Sequence, residues 1–162
     1  MLDRLRRSRW APLVAVALLG ALLVFEGVQL LDDGDTEPRP SPASVSLARR
    51  FAVAVTSFDH RRLDADVARV LALGTPGFEK EFRGAMGEDF SDRIAANKTI
   101  SSGRIVAGPR AQRVAGDLAT FLVVVDQQVT SEGKQEQPQV IRVGLLVSVD
   151  DESNRVSKVE VL

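Results

Sequence analysis

The chain has 162 residues, a formal net charge of −1, one histidine, no cysteine and no tyrosine. Without cysteine no disulfide supports the fold, and a single histidine leaves a zinc-type site without its ligands. No basic patch of the kind that binds nucleic acid is present either.

Residues 1–10 carry Arg4, Arg6, Arg7 and Arg9 and read as a cytoplasmic basic tail. Residues 11–31, from Ala11 to Leu31, hold one charge, Glu26. At 1.5 Å per residue they predict a helix of roughly 31 Å, about the thickness of a hydrocarbon core. Arginines before the segment, and Asp32, Asp33, Asp35 and Glu37 after it, predict a cytoplasmic N-terminus with the remainder outside. No small-residue pair in an A-x-A pattern closes the segment, so it reads as an uncleaved single-pass signal-anchor. Glu26 either makes an intramembrane contact with a partner helix or, near the outer end, reaches the headgroups.

Residues 32–42 form a spacer, extended by Pro38, Pro40 and Pro42 at alternate positions. After residue 31 the chain holds 17 basic and 20 acidic residues, and its length suits one domain with its own core. That domain occupies residues 43–162. Ser41 and Pro42 predict a capped helix start, followed by Leu47, Phe51, Val55 and Phe58 at helical spacing. The corner Asp59-His60-Arg61-Arg62 interrupts it, and Asp64 is placed to cap a second helix bearing Leu63, Val67, Val70 and Leu71. Thr75 and Pro76 start a third, with Phe78, Phe82, Met86, Phe90 and Ile94 every fourth residue. Gly84 and Gly87 weaken it.

From residue 99 the period becomes two. Residues 99–108 predict a short strand. Leu118 to Thr130 predicts a strong one, with Ala119, Phe121, Val123 and Val125 on one face and Leu118, Leu122 and Val124 on the other. Ser131 to Pro138 reads as a turn, Val140 to Val149 as the returning strand, and Arg155 to Leu162 as the last. Three helices followed by a four-stranded antiparallel meander make an α+β domain.

Candidate chemistry is sparse. Asp59 and His60 are the one acid–base pair on offer, without a third orienting group or a visible nucleophile; the simpler reading is a capped corner. No phosphate loop, metal cluster or cofactor motif is present. The Phe78/Phe82/Met86/Phe90 stripe predicts a core, or alternatively the wall of a lipid pocket. If the helices cover one sheet face, Leu122 and Val124 emerge on the other and predict contact with a second copy or another subunit.

The stretch Asp59-His60-Arg61-Arg62-Leu63-Asp64, the helix start Thr75-Pro76-Gly77-Phe78 and the aromatic first helix around Phe51 resemble the Mce-associated membrane proteins of actinobacteria. His60 stands where that family usually has tyrosine. The resemblance implies an anchor helix followed by three helices on a four-stranded curved sheet, a cystatin/nuclear-transport-factor-like cone. That fold is shared with the inner-membrane scaffold subunit of type IV secretion systems. It also implies a non-catalytic accessory subunit of a Mce-type lipid or sterol import complex, contacting the bilayer, other Mce-complex subunits and itself. An apolar-ligand carrier, or less readily a type IV secretion-like scaffold or an enzyme using Asp59 and His60, are the alternatives. A filled cone with a bare apolar sheet face would favour the scaffold; an open apolar cavity would favour the carrier.

Overall fold

The computed structural model of the protein describes residues 39–87, 89–132 and 138–162. Helix α1 spans Pro42–Thr56. The hydroxyl of Ser41 accepts from the Ser44 amide at 3.1 Å, and Pro42 occupies a first-turn position that needs no donor. Ser41 Oγ also donates to Asp151 Oδ1 at 2.8 Å, and Ser44 Oγ donates to the same oxygen. The start of α1 is thus pinned to the turn before the last strand. Leu47, Ala48, Phe51 and Ala52 are at most 1% exposed, because their spacing lays them along one stripe.

Strand β1 (Phe58–Asp59), helix α2 (Leu63–Leu71), helix α3 (Pro76–Met86) and helix α4 (Phe90–Ala96) follow. The chain then forms β2 (Ile100–Ala115), β3 (Leu118–Thr130), β4 (Gln139–Asp150) and β5 (Arg155–Val161). The sheet order is β1-β2-β3-β4-β5, antiparallel throughout. Helix α1 touches β2, β3, β4 and β5 alike. Four flat strands would span about 14 Å, wider than one helix, so the sheet must curl around α1. Its inner face supplies Phe121, Val123, Val125, Leu145, Val147, Val149 and Val159, each no more than 1% exposed. The Phe51 ring meets Phe78 edge-on, with centroids 5.3 Å apart. Burying an aromatic of this size contributes about 2–3 kcal/mol.

The architecture expected from sequence, three helices on four strands, is corrected to four helices on five strands. The long third helix breaks at Gly87, whose φ of 69° and ψ of 166° no helix tolerates. Phe90 and Ile94 therefore leave the aromatic stripe and pack with Leu63 in a small separate core. The added strand, β1, pairs Phe58 with Ser101 and Asp59 with Ile100. Two residues are too short to show a period. The strand expected over 99–108 runs on to Ala115, passing Gly108 and Pro109 through shifts in register. Asp64 does not cap α2: Arg62 holds the cap position and makes no side-chain cap bond.

Residues 1–38 lie outside the described residues, and with them the expected transmembrane helix 11–31 and Glu26. Among the described residues no helix is long and apolar enough to cross a membrane.

Candidate functional site

The corner that holds Asp59 and His60 is built by ion pairs. Arg61 Nε donates to Asp59 Oδ1 at 2.9 Å, Arg61 Nη2 to Oδ2 at 2.5 Å, and the Arg61 amide to Oδ1 at 2.9 Å. These bonds, led by the Arg61 side chain, hold the Asp59 carboxyl well below the usual carboxylate range. A carboxylate so stabilised is a poor base near neutral pH. His60 donates its backbone N–H to Thr99 O at 3.1 Å, extending the β1–β2 contact, and no hydrogen bond joins its ring to Asp59 among the described residues.

Sequence reasoning missed Asp66, the most buried acid of this region at 2% exposure. Its Oδ2 accepts from the Asp59 amide at 2.9 Å and lies 3.5 Å from Arg62 Nε, while Arg69 binds its Oδ1. Asp66 thereby fastens β1 to α2. The signal was present: an arginine four residues before it and another three after, both within helical reach.

Between α1, α2, α3 and α4 lies a pocket of about 50 Å³, walled by Val55, Phe58, Val67, Phe82, Met86 and Phe90. It has room for a few water molecules, far less than a lipid or sterol needs. Its three polar neighbours, Ser57, Asp66 and Gln127, are already bonded, Ser57 Oγ accepting from the Gly103 amide at 2.9 Å. Gln127 Nε2 donates to Ser101 Oγ at 2.8 Å and to Thr56 O at 3.3 Å. Of the expected aromatic stripe, Phe78 is sealed in the core, whereas Phe82, Met86 and Phe90 line this pocket. The cone is filled.

The outer sheet face is different. Leu122 pairs with Leu146 and Val124 with Gly144, and all four lie opposite in direction to the buried Phe121, Val123 and Val125. Leu118 and Leu162 on the same face are 42% and 71% exposed. Among the described residues no helix covers this side. One end of it is closed by Asp126, bonded to Arg142 Nε at 2.7 Å and 3.7 Å from Arg104 Nη2. Arg142 chiefly, then Arg104, lowers the Asp126 carboxyl pKa. The structure therefore brings Leu122 and Val124 into one surface and places Asp59 and His60 in a structural corner at the β1 edge of the sheet.

A curled meander wrapped around one long helix, filled inside and bare outside, defines a small cone-type α+β domain. The same fold occurs in CagV, a VirB8 homologue of the type IV secretion system of Helicobacter pylori, at a TM-score of 0.59 and 10% identity, covering 75% of this chain and 97% of that one. An IcmL-like type IV secretion system protein of Legionella pneumophila superposes at 0.63 with 9% identity, covering 76% and 93%. The periplasmic domain of DotI does so at 0.56 with 18% identity, covering 79% and 99%. The chain belongs to the family described as uncharacterized protein Rv1363c/MT1408-like, whose model matches residues 8–162. Rv1363c of Mycobacterium tuberculosis is 24% identical over 163 aligned positions, 95% of this chain. The chain spans 62% of the length of that relative. These descriptions show the Rv1363c/MT1408-like family and do not speak to Mce complexes or lipid import.

Proposed function

We propose that this domain is a non-catalytic assembly module, held at the outer side of a cell membrane by residues 11–31 and acting through contacts with other proteins. The observation that carries the reading is the pairing of a filled cone with an outer sheet face whose centre, Leu122, Val124 and Leu146, is apolar and half-buried. A carrier of this fold would hold its ligand between the helices and the sheet, and the pocket there is about 50 Å³, with its polar neighbours already bonded; the larger groove along Leu71, Pro76 and Arg155 is open to solvent. An apolar strip on a convex sheet, rimmed by Arg104, Arg142 and Asp126, has the make-up of a protein interface instead. The secretion-system domains that share the fold add support at the level of architecture.

The location rests on the four arginines before residue 11 and the acids after residue 31. A C-terminal alkaline phosphatase fusion, active only outside the cytoplasm, tests it. The function is tested by cross-linking the full chain in its native membrane and identifying its neighbours by mass spectrometry. Adducts that disappear in the L122D/V124D variant support an assembly role. A chain that yields no protein adducts is not an assembly module.

A further inference from the structure

The outer face carries an excess of positive charge, part of it at the end of the sheet where the chain enters. Arg104 lies beside Asp126, Arg110 beside Leu122 and Arg113 beside Thr120, and on the far strand Lys158 lies beside Ser148. The acids of this face are already taken: Asp126 is bonded to Arg142 at 2.7 Å and Glu160 to Lys158 at 2.7 Å. Arg110 and Arg113 are exposed and have no ion pair among the described residues. Between Arg113 and Lys158, in the same row, stand Thr120 and Ser148 with their hydroxyls 3.1 Å apart. Guanidinium groups left unneutralised on one surface repel each other and maintain a positive potential that an acidic segment relieves.

The sequence supplies such a segment close by. Asp32, Asp33, Asp35 and Glu37 stand within six residues, and no base interrupts them. Ser41, four residues on, donates to Asp151 at 2.8 Å, and the Asp151 amide donates to Asp117 O at 2.7 Å. The chain therefore enters beside the β2–β3 turn, and Arg113 is four residues before Asp117. Followed through these bonded neighbours, the path from Ser41 to Arg113 is at most about 25 Å, a bound that does not depend on how the sheet curls. Asp33 and Asp32, eight and nine residues before Ser41, span about 27–30 Å when extended and so reach it. The path doubles round the hairpin, so the direct distance is shorter and Arg110, about 7 Å beyond, falls in the same span. The order of charge agrees as well. Outward from Ser41 the chain meets Arg39 before the acids, while the sheet presents the acidic turn Asp150-Asp151-Glu152 at the entry and the arginines further along β2.

We propose that residues 32–37 strap back over this end of the outer face, their carboxylates binding Arg110 and Arg113. The strap neutralises both arginines, covers Thr120 and Ser148, and fixes the outer face relative to the bilayer that holds residues 11–31. A partner reaching this end of the face has to displace it. Each ion pair is exposed and weak. Their shared tether gives a high effective concentration, so several weak pairs hold together, and salt releases them. A bilayer surface fits this end less well, because a sheet curled around α1 turns a convex side outward and meets a plane along a narrow line.

This inference rests on the reading of the domain as an assembly module and names what guards its face. The chain has no cysteine, so T120C in the full-length protein, in phosphatidylcholine nanodiscs holding one chain each, reports the cover directly. Its reaction with uncharged N-ethylmaleimide should be about fivefold slower than in the same protein carrying D32N/D33N/D35N/E37Q. The protection should vanish in about 0.5 M sodium chloride. D33K/D35K and R110E/R113E should each abolish it, and the two together should restore most of it. V140C, at the far end of the face and 63% exposed, should react alike in every background. Equal T120C rates with and without the acids, or no recovery in the combined charge swap, would overturn the proposal. So would protection that needs several chains per disc, which assigns the cover to a second copy, or protection that needs anionic lipid, which assigns it to the bilayer. Lost protection with the membrane adducts retained sinks this inference alone; lost adducts with protection retained sink the assembly reading alone.

Discussion

Replacing Asp66 with alanine removes the one acid that ties β1 to α2, and the structure allows its cost to be worked out. The Asp59 amide loses a charge-assisted bond of 2.9 Å to a carboxylate that is 2% exposed, a loss of about 1.5–3 kcal/mol. Arg62 and Arg69 lose their partner, but their side chains are 65% and 49% exposed, so each pair adds only about 0.3–0.5 kcal/mol. The total is about 2–4 kcal/mol, or roughly 10 °C in melting temperature for a domain of this size. Asp66→Asn keeps an acceptor for the Asp59 amide and loses the charge, so it should cost about 1 kcal/mol. Asp64→Ala should cost about 0.5 kcal/mol, the share of a first-turn acid facing the helix dipole. Urea titrations followed by circular dichroism measure all three. Equal losses from Asp64→Ala and Asp66→Ala would show that the acid at the helix start, not the buried one, secures the corner.

Three further outcomes follow from the packing and the charges. Phe51→Ala should cost about 3–5 kcal/mol, since the ring is fully buried against Phe78; Phe82→Ala, on the wall of the small pocket, should cost clearly less in the same titration. L122D/V124D should leave the dichroism spectrum unchanged and remove the cross-linked protein neighbours of the full chain in its membrane; an unchanged set of adducts would count against the interface. Bonds from Ser44 and then Ser41 lower the Asp151 pKa, so its stabilising share is complete above the ordinary aspartate value, about 3.9, and is lost as pH falls through the lower folded value. Asp151→Asn, which keeps an acceptor for both serines, should therefore flatten the fall in stability below about pH 4, measured as urea midpoints from pH 7 downward.

What the sequence made legible was whatever is decided within a turn or two of chain. Ser41 and Thr75 cap their helices as expected, because a side chain three residues from an unpaired amide needs no tertiary context. The alternation from Leu118 to Thr130 marked β3 to the residue. The break at Gly87 was foreshadowed by its weak helix propensity, yet the every-fourth-residue run of Phe78, Phe82, Met86, Phe90 and Ile94 outweighed it. Strand β1 was invisible because its partners, Ile100 and Ser101, lie forty residues away in the chain. The second half of β2 was hidden by Gly108 and Pro109, which read as an ending and act as an irregularity inside a longer strand. On the outer face, Leu122 and Val124 were readable from alternation alone. Their neighbours Arg110 and Glu160 were not, since only the pairing register shows that four strands place them in one row.

That distinction bears on function. A β3 apolar on both faces is more than a one-layer cover requires: α1 and the short helices already bury Phe121, Val123 and Val125 on the inner side. Solvent-facing positions on an antiparallel sheet are ordinarily polar, as Thr120, Asp126 and Gln128 are on this very strand. Leu122, Val124 and Leu146 interrupt that rule at the centre of the face, and charged residues return at its margins: Arg110 on one side, Glu160 on the other, and Asp126 with Arg104 and Arg142 at one end. An apolar centre inside a charged margin repeats, on the outside of the sheet, the arrangement by which a protein interface excludes water. The interior is occupied by the protein's own side chains, so the surface where a partner adds most buried apolar area is the one turned away from the helices.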